Sequence, residues 1–125
     1  MEHVLFSDGN TKKIGWMIQT NDLVLEQKRE HPGIYLDKVS NQQSKYIALH
    51  VGLFWSIGTF IIKNQDTVRL VLDDKIMLEH LSGNKKSPDK FIEKRKFFIR
   101  QLIEQRKLKI QYELLTQDKT WLLKK

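Results

Sequence analysis

Alternating hydrophobic and polar positions predict three short strands in the first quarter of the chain. The strands cover residues 3–6, 14–19 and 23–28, and polar turns at 7–10 and 20–22 separate them. Successive side chains of a strand point to opposite faces, so this pattern gives each strand one buried face. Strands joined by such short turns pair with each other, and we expect an antiparallel meander.

A long apolar segment predicts a core helix over residues 41–60, capped by Ser40 or Asn41. Residues 46–62 approach the length of a membrane span. However, His50 and other polar side chains interrupt the apolar run, which favours a buried helix with a hydrogen-bonded histidine over a transmembrane segment. We therefore expect no membrane association.

Strands and helices alternate along the rest of the chain, after an irregular connection at residues 31–39. One helix is predicted to follow Ser87 as its cap, with Pro88 at its first position, where proline is tolerated. Strands that follow helical crossovers add to a sheet in parallel. In chain order the predicted elements are a buried strand at 67–72, a short helix at 74–81, the helix after Ser87, a half-buried strand at 108–114 and a terminal helix at 118–123.

The 125 residues suit a single domain, covering residues 1–125, with its own hydrophobic core. The predicted order is βββαβα(α)βα, which gives an α/β (α+β) fold with a five-stranded mixed sheet covered by helices. The chain has no cysteine, which excludes disulfides and thiolate metal sites. Its N-terminus lacks a basic leader followed by an apolar run, so we expect no signal peptide and a cytoplasmic protein.

Positive charge is concentrated in residues 85–109. Ten basic and three acidic residues there give +7, which is also the net charge of the whole chain. Such a segment is typical of a protein that contacts phosphates, although a solvated helix face gives the same pattern. We predict that it contacts nucleic acid. The candidate contact residues are Lys85, Lys86, Lys90, Lys94, Arg95 and Lys96.

Three local motifs, in this order, resemble the type 1 ribonuclease H family. They are similar to the family's first strand with its catalytic aspartate, its first helix, and its fourth strand with the short helix after it. The motifs are FSDGN at 6–10 with IGW at 14–16, SNQQSKYIAL at 40–49 with GL at 52–53, and LDDKI at 72–76 with LSG at 81–83. The resemblance implies a ribonuclease H-like fold for nearly the whole chain. Members of that family cleave the RNA strand of RNA–DNA hybrids with two divalent ions held by four carboxylates.

The resemblance places only two of those four carboxylates on this chain. Asp8 matches the first acid and Asp73 the third. Lys45 stands where the family has a glutamate on its first helix, and the apolar Leu122 lies near the position of the fourth acid. Asp118, about one helical turn earlier, is the best candidate for a substitute. The catalytic set is therefore predicted to be incomplete.

Lys45 is predicted to replace the metal ions rather than to bind beside them. Two unit charges about 4 Å apart interact by roughly 4 kcal/mol at an effective dielectric constant near 20, so an ammonium there repels a divalent ion strongly. We expect it to lie between Asp8 and Asp73 and to relieve their mutual repulsion. Asp74 is expected to point elsewhere, as a helix cap or surface acid. No cofactor is expected; Mg²⁺ or Mn²⁺ would be needed only if the chain is active.

The leading functional prediction is a catalytically inactive ribonuclease H-like domain that binds an RNA–DNA hybrid or double-stranded RNA. Asn41, Gln42 and Gln43 correspond to polar residues that touch the substrate backbone in the family, and we predict the same contacts here. One alternative is a structural domain of a larger replication or mobile-element complex, with a protein partner or as a homodimer. The other is a metal-dependent ribonuclease H with a rearranged acid set.

Overall fold

The computed structural model describes residues 1–83 and 85–115, and within them it contains five strands and three helices. The helix predicted over 118–123, and with it Asp118 and Leu122, lies outside these residues. The elements are β1 (Glu2–Gly9), β2 (Lys13–Thr20), β3 (Leu23–Glu30), α1 (Asn41–Gly58), β4 (Thr67–Leu72), α2 (Lys75–Ser82), α3 (Lys90–Arg106) and β5 (Lys109–Leu114).

The strands form one mixed sheet in the order β3-β2-β1-β4-β5. The pairs β1–β2 and β2–β3 are antiparallel, whereas β1–β4 and β4–β5 are parallel. The predicted five-stranded mixed sheet, with a meander followed by parallel additions, is confirmed. Because β1 and β4 are parallel neighbours in the centre of the sheet, their carboxyl ends lie side by side.

The core lies between the sheet and the long helix α1. Alternate residues of β1 are buried, and α1 packs against β1 and β2 and also against α3. The buried residues of α1 include Tyr46, Leu49 and Leu53, so the prediction of a core helix is confirmed. In the part of the chain that the structure describes, no helix is long and apolar enough to cross a membrane.

The first predicted turn begins later than expected. We predicted a turn at residues 7–10, but β1 continues to Gly9 because Ser7 and Asp8 are in register with Trp16 and Gly15 of β2. The turn starts at Asn10, whose side-chain oxygen accepts hydrogen bonds from the backbone N–H groups of Lys12, in the turn, and Lys13, the first residue of β2. Asp8 therefore lies on a strand and not in a flexible loop.

The predicted start of α3 is wrong by two residues. The helix is capped by Asp89, whose carboxylate accepts hydrogen bonds from the N–H groups of Phe91 and Ile92. Ser87 instead accepts a hydrogen bond from the N–H of Asp89 at 3.1 Å, and Pro88 precedes the helix. Both serine and aspartate are good N-caps, so the local sequence does not distinguish the two positions.

Candidate functional site

Two carboxylates meet at the carboxyl edge of the central strands. Phe6 of β1 is in register with Val71 of β4, and Asp8 and Asp73 each come two residues later. Asp8 Oδ1 also accepts a hydrogen bond of 2.8 Å from the N–H of Gly9. The parallel pairing of these strands therefore brings together two acids that are 65 residues apart in the sequence.

The ammonium of Lys45, on the first turns of α1, lies between the two carboxylates. Its Nζ is 2.7 Å from Asp73 Oδ1 and 3.5 Å from Asp8 Oδ1. The side chains are only 20% (Lys45), 13% (Asp8) and 28% (Asp73) exposed, so water screens this contact weakly. The predicted position of Lys45 is confirmed. The three groups together carry a formal charge of −1.

The pKa values of the site follow from burial and from these three charges. Burial raises the pKa of Asp8, the nearby Asp73 raises it further, and Lys45 opposes both effects. Burial alone lowers the pKa of Lys45, but its hydrogen bond to Asp73 and the charge of Asp8 outweigh that effect, so its pKa is raised. Lys45 is therefore a fixed cation at every physiological pH.

A close contact between β1 and α1 sets the position of Lys45. An added Cβ at Gly9 would lie 2.4 Å from Ser44 Oγ, so only glycine allows the helix to approach the strand this closely. His31 Nε2 lies 2.8 Å from Ser44 Oγ and 3.1 Å from the carbonyl oxygen of Asn10, which ties the start of the helix to the β1–β2 turn. The sequence does not reveal the roles of His31 and Ser44, because their contact depends on how the connection at residues 31–39 folds.

The described residues do not fit the two-metal site that the resemblance implies. Mg²⁺ prefers carboxylate oxygens, and Asp8 and Asp73 provide them, but the ammonium of Lys45 occupies the space between the two. Asp74 is used as the N-cap of α2, where it accepts a hydrogen bond of 3.1 Å from the N–H of Met77. Residues 1–83 and 85–115 contain no cluster of three or more histidines and acids that could hold a metal ion.

Replacing Lys45 with methionine is expected to destabilise the protein in a pH-dependent way. Without the ammonium, the pKa of Asp8 rises further above its unfolded value. The folded protein then keeps this proton to a higher pH than the unfolded chain, so stability is lost as the pH rises. We expect a cost of about 2 kcal/mol near pH 7 and a clearly smaller one near pH 4, measured by urea denaturation.

The control for this variant is Lys12→Met. Lys12 pairs with Asp37 at 2.7 Å, but both side chains are more than half exposed, so this pair is expected to contribute little at any pH. Equal stability losses for the two variants, or a Lys45→Met loss that does not change with pH, would contradict the account of the site.

The three polar residues at the start of α1 differ in whether their side chains are available to contact a ligand. Gln43 Oε1 accepts a hydrogen bond from the N–H of Ser40 at 2.9 Å, and its Nε2 donates to Asp89 Oδ2 at 2.9 Å. The side chain therefore completes the helix cap and joins α1 to the start of α3. Asn41 is exposed and Gln42 half-buried, so these two remain candidates for contact with a ligand, whereas Gln43 is committed within the fold.

The basic segment is less uniformly exposed than predicted. Arg95 donates to His50 Nδ1 and to the hydroxyl of Tyr35, each at 2.9 Å, and Lys96 is only 7% exposed. Lys96 is therefore buried and Arg95 half-buried between elements, and the predicted contact of these two residues with nucleic acid stays a prediction. The four exposed candidates are Lys85, Lys86, Lys90 and Lys94.

His50 is a hydrogen-bonded, half-buried residue of α1, as predicted. Burial and the neighbouring Arg95 lower the pKa of His50 to about 4. The imidazole is therefore neutral at physiological pH, and its Nδ1 can accept the hydrogen bond from the guanidinium. This contact joins α1 to α3.

No protein-family model and no curated protein sequence matches this chain. Several solved structures have a similar fold. An N-terminal ribonuclease H domain from Mycobacterium tuberculosis, solved as a fusion with maltose-binding protein, aligns with a TM-score of 0.76 and 21% identity over 94% of this chain and 88% of that chain. Ribonuclease H1 of the archaeon Halobacterium salinarum aligns with a TM-score of 0.72 and 17% identity over 90% of this chain and 85% of that chain.

LC11-RNase H1, isolated from compost and solved in complex with an RNA/DNA hybrid, aligns with a TM-score of 0.66. The identity is 16%, and the alignment covers 88% of this chain and 83% of that one. These similarities, together with the strand order, show that the chain has a ribonuclease H-like fold. At identities this low, the structural similarity establishes the fold alone. The function therefore has to be argued from the residues of this chain.

Proposed function

We propose that this chain is a ribonuclease H-like domain that binds nucleic acid without cleaving it. The observation that carries the proposal is the ammonium of Lys45, in contact with both Asp8 and Asp73. Two-metal hydrolysis needs cations bridged by carboxylates to activate water and to stabilise the leaving oxygen. In this chain a side-chain cation contacts both acids and reduces the formal charge of the site to −1, so the site has neither the space nor the negative charge for two divalent ions.

An RNA–DNA hybrid is the ligand that we propose, with double-stranded RNA as a second possibility of the same shape. The exposed lysines at residues 85–94 would contact phosphates of the ligand, and Asn41 and Gln42 would lie near its sugar–phosphate backbone. LC11-RNase H1, which shares the fold, was solved with an RNA/DNA hybrid, and this supports the choice. The fold and 2′-hydroxyl contacts would favour A-form duplexes without much dependence on sequence. A cytoplasmic location and independence from metal ions belong to the same proposal.

Binding of a short hybrid is expected to weaken steeply as salt is added. About four phosphate contacts predict a roughly hundredfold loss of affinity between 50 and 200 mM salt. The double variant Lys90→Glu/Lys94→Glu should bind far more weakly than the wild type at every salt concentration. Fluorescence anisotropy with a labelled hybrid measures both effects.

The matched control is Lys63→Glu, since Lys63 is exposed and lies beyond the far end of α1. Its affinity should remain close to that of the wild type. An affinity that is flat across this salt range, or equal for the control and the double variant, would contradict the proposed surface. The hybrid should also remain uncut in Mg²⁺ or Mn²⁺, and cleavage that Asp8→Asn abolishes would favour the rearranged-acid alternative.

A further inference from the structure

A second basic feature is a cavity beside α3. Its volume is about 510 Å³, and Asp8, Lys45 and Asp73 are not among its lining residues. Four cationic side chains line it, against two acidic ones. The cationic residues are Lys85, Lys86, Lys96 and Arg100.

Two of these cations are held in place by backbone carbonyl groups. Lys96 Nζ donates to the carbonyl oxygen of Lys85 at 2.8 Å. Arg100 Nη2 donates to the carbonyl oxygens of Leu81 at 3.1 Å and Gly83 at 2.7 Å. Within residues 1–83 and 85–115, neither cation has a carboxylate oxygen within 4.0 Å. These bonds fix the positions of the two charges but do not neutralise them.

Glu93, one of the two acids that line the cavity, offsets these charges only in part. The Glu93 carboxylate accepts a hydrogen bond of 3.0 Å from the N–H of Ser87 and contacts His80 Nε2, so it is turned toward the α2 side. Burial and the nearby Arg100 lower the pKa of Lys96 by more than the charge of Glu93 raises it, which indicates a positive, poorly solvated environment. A buried cation without a paired anion is costly, and a bound anion would remove part of that cost.

We propose that this cavity binds one phosphate group of a nucleic-acid backbone, an inference that rests on the proposed function. Lys96 and Arg100 would contact the phosphate from the wall, and Lys85 and Lys86 from the rim. Phe97, which is 60% exposed, lines the same cavity and offers a ring face on which a neighbouring base or sugar can pack. In this proposal Lys96, which is buried, contacts the bound phosphate from inside the cavity.

The test combines two probes with a pair of variants. Inorganic phosphate and a short RNA–DNA hybrid are titrated separately into the wild type, Lys96→Met and Lys109→Met, and NMR follows the side chains of Lys96 and Arg100. Methionine keeps the length of the lysine stem and removes the charge. Lys109 is an exposed cation of the same basic segment that does not line the cavity, so it is the matched control. Thermal melts of each variant verify folding, and Lys86→Met at the rim provides a second variant.

We expect phosphate to shift the Arg100 resonances saturably in the wild type and in Lys109→Met but not in Lys96→Met. Lys96→Met should bind the hybrid five- to tenfold more weakly than Lys109→Met does, with the slope of log affinity against log salt reduced by about one. Lys86→Met should show a smaller loss in the same direction.

The other outcomes overturn the inference in separable ways. If phosphate saturates the cavity but Lys96→Met and Lys109→Met bind the hybrid equally, the cavity serves a free phosphate compound and the backbone assignment is wrong. If phosphate causes no shift while the hybrid binds, the cavity is not an anion site and the proposed function stands. If phosphate saturates the cavity and the wild type does not bind the hybrid, the proposed function fails together with the backbone assignment.

Discussion

Replacing Lys45 with glutamate is expected to raise the affinity of the chain for Mn²⁺ at least a hundredfold. The substitution removes an ammonium that lies 2.7 Å from Asp73 and 3.5 Å from Asp8 and puts a third carboxylate in its place. At an effective dielectric constant near 20, charges about 4 Å apart interact by roughly 4 kcal/mol, and each 1.4 kcal/mol is a factor of ten in affinity. The substitution changes the local charge by two units next to a divalent ion, so the electrostatic gain is several times this value, and about 2.8 kcal/mol of it suffices for a hundredfold.

The informative control is Lys45→Gln, which removes the positive charge without adding a carboxylate. Isothermal titration calorimetry with Mn²⁺ should rank the affinities as Lys45→Glu, then Lys45→Gln, then the wild type. Adding Asp73→Asn to Lys45→Glu should remove most of the gain, because a ligand at the same edge is lost. An affinity of Lys45→Glu no higher than that of Lys45→Gln would mean that the carboxylates do not form a metal site in this chain.

Replacing Gly9 with alanine is expected to lower the free energy of unfolding by about 3 kcal/mol. The new Cβ would lie 2.5 Å from the carbonyl oxygen of Ser44 and 2.6 Å from its carbonyl carbon. These are backbone atoms within α1, so the clash cannot be relieved by rotating a side chain. The helix has to move away from β1, and Lys45, the next residue, moves with it.

Gly33→Ala provides a control at a glycine with open space, since no atom lies within 4 Å of a Cβ built there. Urea denaturation should show a much smaller effect for this variant. In Gly9→Ala, the pKa of Asp8, measured by NMR titration, should also rise as the ammonium recedes. Equal stability of the two variants would mean that the close approach of α1 to β1 is not needed to place Lys45.

The sheet could be predicted because its signals are local. Alternation of apolar and polar residues marks each strand, and strands joined by short turns pair antiparallel. The strand ends were harder to locate, because Gly9 belongs to β1 only through its pairing with Ile14. The N-cap of α3 was hard to locate for the same reason. Asp89 also accepts a hydrogen bond from Gln43 of α1, a contact between distant residues that the local sequence does not show.

The candidate site could be predicted in outline because the motif resemblance aligned Asp8, Lys45 and Asp73 with a known arrangement. The surroundings of the site could not be predicted, because they depend on how elements that are distant in the sequence pack together. Lys96 lies in a helix rich in basic residues, and nothing in that pattern separates it from exposed neighbours such as Lys94. It is buried because the carbonyl oxygen of Lys85, in the preceding loop, accepts its hydrogen bond.

The most direct measurement is anomalous diffraction from a wild-type crystal grown with Mn²⁺. The position of Lys45 predicts no ordered manganese within roughly 2.5 Å of the Asp8 or Asp73 oxygens and an ammonium that still contacts Asp73. Two manganese ions bound to these carboxylates, with the lysine displaced, would show that the chain assembles a two-metal centre and would contradict a non-catalytic role.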